Sequence, residues 1–256
     1  MSVTFVSSSN QSLDVPGPVM ATANKSVLVG MCWVRLAAFP TADDSDFIQY
    51  STGVSLTQSR YGMTCALGTG GRVTIKGRAT DAESLKSFTT GIDFLSLGVW
   101  LHIAGVVDYA DSHAYFYMNG DLEDNGPMSA PFAASQTAAT PSLHGRIGGG
   151  LTSTVQGIDG ELEDVRLYDF DGLNKSLIGG VAPNARIQTI YSLRGRDSIV
   201  DHLMHRFTLK DLGAGSVVLA ANIAEAERIV AVAVNAPTWN TDTITSLQKL
   251  PPRRRR

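Results

Sequence analysis

Apolar positions along the chain gather in short runs of strand length, separated by Gly-, Pro- and Asp-rich breaks. Ser26 to Leu36 (SVLVGMCWVRL) is almost continuously apolar, the pattern of a strand covered on both faces, and it places Trp33 in the core. Phe47 to Tyr50 reads as a second strand ended by Gly53. Tyr61 to Leu67 and Arg72 to Arg78 flank Gly68-Thr69-Gly70-Gly71, a hairpin signature in which glycine supplies the positive φ angles the turn needs. The strongest pair is Val99 to Asp108 with His113 to Asn119, closed by Asn119-Gly120. Its second strand puts Ala114, Phe116 and Met118 on one face and His113, Tyr115 and Tyr117 on the other.

Arg146 to Gly150 opens a further strand and turn, and Gly157 to Phe170 is a late core strand. There Val165 and Leu167 share one parity while Leu162 takes the other, which implies a bulge or burial of both faces. Trp33, Val106 and Val165 are expected to be buried together. The pattern changes after Gly180. Pro183 to Gly195 spaces Ile187, Ile190, Tyr191 and Leu193 at nearly helical intervals, predicting one short amphipathic helix. His205 to Leu209, Ser216 to Ala220 and Arg228 to Val234 read as further short strands.

The length of 256 residues allows one large domain or a domain with an appended arm. With 43% hydrophobic and 18% charged residues, the chain has the composition of a soluble globular protein. The formal charge of −3 is uneven: setting aside Arg253 to Arg256 leaves 17 basic residues against 24 acidic ones. Such a body offers no long basic groove, so sequence-specific nucleic-acid binding is not expected and only the tail bears on phosphate. Cys32 and Cys65, both in apolar strand-like surroundings, are expected as buried free thiols. Met1 to Asn10 has no secretory-signal pattern, and Val217 to Val234 is broken by Glu225, Glu227 and Arg228, so no membrane span is expected.

Three segments, taken in order, resemble the concanavalin A-like jelly-roll family in its laminin-G/pentraxin branch. They are the Trp-centred Val29-Gly30-Met31-Cys32-Trp33-Val34-Arg35-Leu36, then Trp100-Leu101-His102-Ile103-Ala104-Gly105-Val106-Val107-Asp108 with Tyr115-Phe116-Tyr117-Met118-Asn119-Gly120, and then Ile147-Gly148-Gly149 leading to Asp159-Gly160-Glu161-Leu162-Glu163-Asp164-Val165-Arg166-Leu167-Tyr168. Ile187-Gln188-Thr189-Ile190-Tyr191 is similar to a short helix that follows this domain. The resemblance implies an all-β fold: a two-sheet antiparallel jelly-roll sandwich with one short helix and a C-terminal extension. Residues 1–25 are then an N-terminal arm or first strand, and 26–195 the sandwich ending in the helix. Residues 196–256 are an extension that completes the sheets or exchanges with a neighbour, with a basic tail at 251–256. His205-Arg206-Phe207 and Val234 to Trp239 look like the segment that usually precedes the domain, which suggests a permuted order.

Some relatives of this fold hydrolyse glycans with paired carboxylates on one strand. Glu161-Leu162-Glu163-Asp164-Val165-Arg166 lacks the E-x-D-x-x-E spacing such work needs, and Glu161 and Glu163 read as a solvated strand surface. Other relatives bind calcium, and oxygen ligands are present at Asp108, Asp111, Asn119, Asp121, Glu123 and Asp124, though none matches a ligand motif. His202-x-x-His205 would bind a metal only on a helix with a third ligand, and His102 reads as a core or rim residue. No catalytic, cofactor-binding or metal-binding residue is therefore assigned, and no enzyme activity is expected.

The expected function is non-enzymatic. The resemblance points to a virion structural protein, a bacteriophage capsid decoration or other particle-surface protein assembled in host cytoplasm. Its expected partners are copies of itself and other virion proteins such as the major capsid protein. The alternative is a carbohydrate-binding module or lectin in which Tyr115, Tyr117 or Trp239 stacks on a sugar.

Overall fold

Strands account for nearly all the regular structure in the computed structural model, which describes residues 2–6, 11–16, 24–40, 45–51, 62–80, 82–138, 144–149, 157–169, 203–207, 217–221, 228–234 and 238–240. In chain order they are β1 (Ser2–Phe5), β2 (Ser12–Pro16), β3 (Val27–Ala38), β4 (Ser45–Ser51), β5 (Gly62–Leu67), β6 (Val73–Arg78), β7 (Lys86–Thr89), β8 (Leu101–Asp108), β9 (His113–Met118), β10 (Asp121–Pro127), β11 (His144–Ile147), β12 (Asp159–Asp169), β13 (Leu203–Phe207), β14 (Val217–Ala221), β15 (Arg228–Val234) and β16 (Thr238–Asn240). The helix expected over 183–195, His202 and the tail 251–256 lie outside the described residues. His205 sits on β13, an extended strand rather than the helix that a metal-binding His pair would need.

Hydrogen bonding runs in the order β10-β9-β8-β3-β12 through one layer and β2-β11-β4-β5-β6-β7 through the other, with β13-β14-β15 between β12 and β2. β1 shares the free side of β12 with β13 and also pairs with β16. The two layers lie face to face. A Cβ built at Gly105 on β8 would stand 2.5 Å from Cys65 Sγ on β5, and one at Gly77 on β6 would stand 3.1 Å from Val107 Cγ1 on β8. The fold is the two-sheet antiparallel jelly-roll sandwich that the sequence implies.

Alternation decides what fills the space between the layers. Leu28, Cys32, Val34 and Leu36 of β3, Ile103 and Val107 of β8, and Ala114, Phe116 and Met118 of β9 point inward. They meet Ile48, Cys65, Val73, Ile75 and Ile147 of the opposite layer. Each of the Val, Leu, Ile, Phe and Met side chains contributes about 1.5–3 kcal/mol when removed from water. Both cysteines are buried free thiols.

The outward face of the first layer is buried as well. Val27, Val29 and Met31 of β3, Ala104 and Val106 of β8, Tyr117 of β9 and Tyr168 of β12 form a second cluster. Trp33, Val106 and Val165 are all buried, but they do not share one environment. Val165 packs between the layers, whereas Val106 belongs to the second cluster and Trp33 lies on the same side of β3 as Val29. The expectation of one shared core is corrected by a sheet covered on both sides.

β12 shows both features that its mixed parity implies. Glu163 stands opposite Trp33 and Arg166 opposite Met31, which leaves one extra residue on β12. Asp164 at this bulge has φ 52. The bulge brings three polar groups together: Arg166 donates from Nη2 to Asp164 Oδ2 at 2.5 Å, from Nε to the same oxygen at 3.1 Å, and from Nη1 to the Tyr168 hydroxyl at 3.1 Å. Glu161 and Glu163 are not on a solvated surface, since Glu163 is only 2% exposed and Glu161 is buried against Arg35. A strand paired along both edges and covered on both faces buries whatever it carries.

Candidate functional site

The second layer carries an open polar cleft of about 590 Å³ over β6 and β7. One wall is the β5–β6 turn, where Gly70 has φ 77 and Gly71 φ 99, conformations that favour glycine. A Cβ at Gly71 would stand 2.7 Å from the Leu95 carbonyl oxygen, so glycine is also needed for close approach. That approach ties the turn to the segment after β7: Phe94 N and Leu95 N donate to the Gly71 carbonyl at 3.2 and 3.1 Å. Thr90 fastens the same segment to β6 by accepting from Val73 N at 3.1 Å and donating to the Ile92 carbonyl at 3.1 Å.

The floor follows from strand alternation. Val73 and Ile75 point into the core, so Thr74 and Lys76 point away from it. On β7, Thr89 stands opposite Thr74 and Ser87 opposite Lys76. The two threonine hydroxyls are 3.0 Å apart. Arg72 donates from Nε to Asp93 Oδ1 at 3.2 Å, and their side chains are 53% and 54% exposed. The Lys76 ammonium lies 3.9 Å from Asp46 Oδ1 in a pair closed off from solvent. Leu85 supplies the one large apolar side chain of the lining. The row continues across the layer, with Lys76 opposite Thr64, Thr64 opposite Gln49, and Gln49 opposite Arg146.

This arrangement can donate and accept hydrogen bonds and hold charge. Asp93 is the only carboxylate among the described residues lining it. Glycoside hydrolysis in its usual form needs a pair about 5–10 Å apart.

Several of the residues weighed for sugar or metal chemistry are engaged elsewhere. Tyr117 is 1% exposed, and burial pushes its phenol well above the ordinary value, so its ring face is closed to a sugar. Tyr115 is half-buried, with the His113 ring centroid 4.8 Å away. Trp239 lies on β16, and its side chain is outside the described set. Asp108 Oδ1 accepts from Ala110 N at 2.9 Å and Asp111 N at 3.1 Å, Asn119 Oδ1 accepts from His102 N at 3.0 Å, and Asp124 Oδ2 accepts from Gly91 N at 2.8 Å. The Asp108 oxygen builds a turn, and those of Asn119 and Asp124 tie together segments distant in sequence. Asp121 and Glu123 are exposed on β10. Among the described residues no group of three His, Cys, Asp or Glu is placed to hold a metal ion. His102 is a core residue, edge-on to Trp33 with centroids 5.2 Å apart.

Sequence reasoning did not single out Arg72, Thr74, Lys76, Ser87, Thr89 or Asp93. The signal for the floor was the period-two polarity of Thr74/Lys76 beside Val73/Ile75, but nothing local shows that a second polar strand lies next to it.

The two-sheet antiparallel jelly-roll sandwich defines a lectin-like class of fold. Residues 7–174 match the family described as the concanavalin A-like lectin/glucanases superfamily, and the chain belongs to it. Its fold is similar to a Bacteroides ovatus protein assigned to carbohydrate binding, with TM-score 0.60 and 14% identity, over 93% of this chain and 58% of that one. It is also similar to the CBM40 of a Ruminococcus gnavus IT-sialidase bound to α2,3 sialyllactose, with TM-score 0.51 and 12% identity, over 74% of this chain and 96% of that one. Domains LG4-5 of the mouse laminin α1 chain match with TM-score 0.48 and 14% identity, over 65% of this chain and 41% of theirs. At such identities the likeness is one of fold. The chain spans 58% of the length of the Bacteroides protein. No curated protein sequence matches it.

Proposed function

We propose that the protein is a non-catalytic carbohydrate-binding module that holds its glycan in the cleft over β6 and β7. The observation that carries this reading is the lining: Thr74, Ser87, Thr89, Arg72 and Asp93 face one open space, the chemistry that a polyol needs for hydrogen bonding. The carbohydrate-binding proteins among the similar folds support it. The particle-surface role implied by the earlier resemblance draws on no observation in the fold or in these comparisons.

A glycan array followed by calorimetry tests the proposal. A defined oligosaccharide should bind, and Thr74→Val with Thr89→Val should weaken it about tenfold, as expected when two hydrogen bonds of about 0.5–1.5 kcal/mol each are lost. Absence of any bound glycan, or binding indifferent to these changes in a folded variant, would overturn it.

A further inference from the structure

We infer that the cleft selects glycans bearing a carboxylate, with Arg72 as the specificity-determining residue; this rests on the binding reading above. Arg72 is held at one point. Its Nε donates to Asp93 Oδ1 at 3.2 Å, and among the described residues neither Nη1 nor Nη2 has a hydrogen-bond partner. A guanidinium steadied at Nε and open at its fork suits the two oxygens of a carboxylate. The Arg72–Asp93 pair is half exposed, so it contributes little by itself and gives way readily to a better partner.

Among the described residues, Arg72 is the one exposed positive group of the lining, since the Lys76 ammonium is closed off in its pair with Asp46. Asp93 is confined by the turn, since a Cβ at Gly70 would stand 3.1 Å from its Oδ2. The paired hydroxyls of Thr74 and Thr89 lie on the same floor and fit the neutral hydroxyls of the same sugar. A ligand that uses all of these groups is both a polyol and an anion, as sialic and uronic acids are.

The test compares matched sugars by calorimetry on the full chain: 3′-sialyllactose against lactose, and oligogalacturonate against its methyl ester. At least one acid should bind about tenfold more tightly than its neutral counterpart, with the gap narrowing as salt is raised. Arg72→Gln should close the gap by weakening the acid far more than its neutral counterpart, and Arg72→Lys should restore part of it. Equal affinity for acid and neutral forms, with Thr74→Val weakening both, would overturn this inference and leave the binding reading standing. No binding of any sugar, or binding indifferent to Thr74→Val, would overturn the binding reading and this inference with it.

Discussion

Replacing Gly105 with alanine places a methyl group where the two layers already touch. The new Cβ would stand 2.5 Å from Cys65 Sγ and 3.3 and 3.4 Å from Ile75 Cγ1 and Cδ1. A carbon and a sulfur in ordinary contact sit roughly an ångström further apart, so β8 or β5 must move or Cys65 must leave its rotamer. Overpacking of this kind costs about 1–3 kcal/mol, offset by about 0.4–1 kcal/mol because alanine restricts the unfolded chain. The net loss is about 1–2 kcal/mol, which for a chain of this size lowers Tm by about 2–8 °C. The partner change Cys65→Ala removes the obstructing sulfur and alone costs about 1 kcal/mol through the small void it leaves. Combined, the methyl of residue 105 fills that void, so the double variant should be more stable than the sum of the singles by about 1 kcal/mol. Urea unfolding of the four proteins measures this. Strict additivity, or a stabilising Gly105→Ala, would refute the face-to-face packing of β8 on β5.

Other changes reach different parts of the fold. Arg166→Met strands Asp164 in a buried site without its guanidinium and should cost about 3–5 kcal/mol, whereas Arg166→Met with Asp164→Asn should cost less; thermal melts compare the two. Burial pushes the Cys65 thiol from 9.0 to about 12, and the Cys32 thiol moves the same way. Between those pH values the unfolded chain loses protons that the folded chain keeps, so stability should be unaffected below pH 9 and fall above it. The steepest slope is about 1.4 kcal/mol per pH unit per thiol, and Cys65→Ala should flatten it in urea titrations at rising pH. Gly148 has φ 82, and a Cβ there would overlap the Phe5 ring. Gly148→Ala should therefore loosen β1 from β12, seen as faster amide exchange at Val3 and Phe5.

What the sequence revealed tracks where burial is strong. β3, β8, β9 and β15 were legible because their residues are apolar on one or both faces: Arg228 to Val234 coincides with β15, and the β8–β9 pair is found within two residues of the expected ends. β7 and β10 were not read as strands, for the opposite reason. They end the strand path, and an end strand can carry Lys86, Asp121, Glu123 and Pro127 because part of its surface meets water and such residues discourage stray pairing. The burial of Glu163 and Arg166 was illegible because it depends on neighbours far along the chain. The cleft is half legible: the glycines of the β5–β6 turn announced positive φ, but Arg72 and Asp93 meet only because Gly71 lets the segment after β7 close on the turn.

The central claim is that a polar cleft on the second layer of this sandwich holds a glycan. The most direct measurement is a backbone amide NMR titration with the oligosaccharides that the glycan array selects, alongside 3′-sialyllactose, oligogalacturonate and their neutral counterparts. The account predicts shifts confined to Thr69–Lys76 and Ser87–Asp93. Shifts clustered instead around His113, Tyr115 and Asn125 on the first layer, or no shifts at ligand concentrations of about a millimolar, would contradict it.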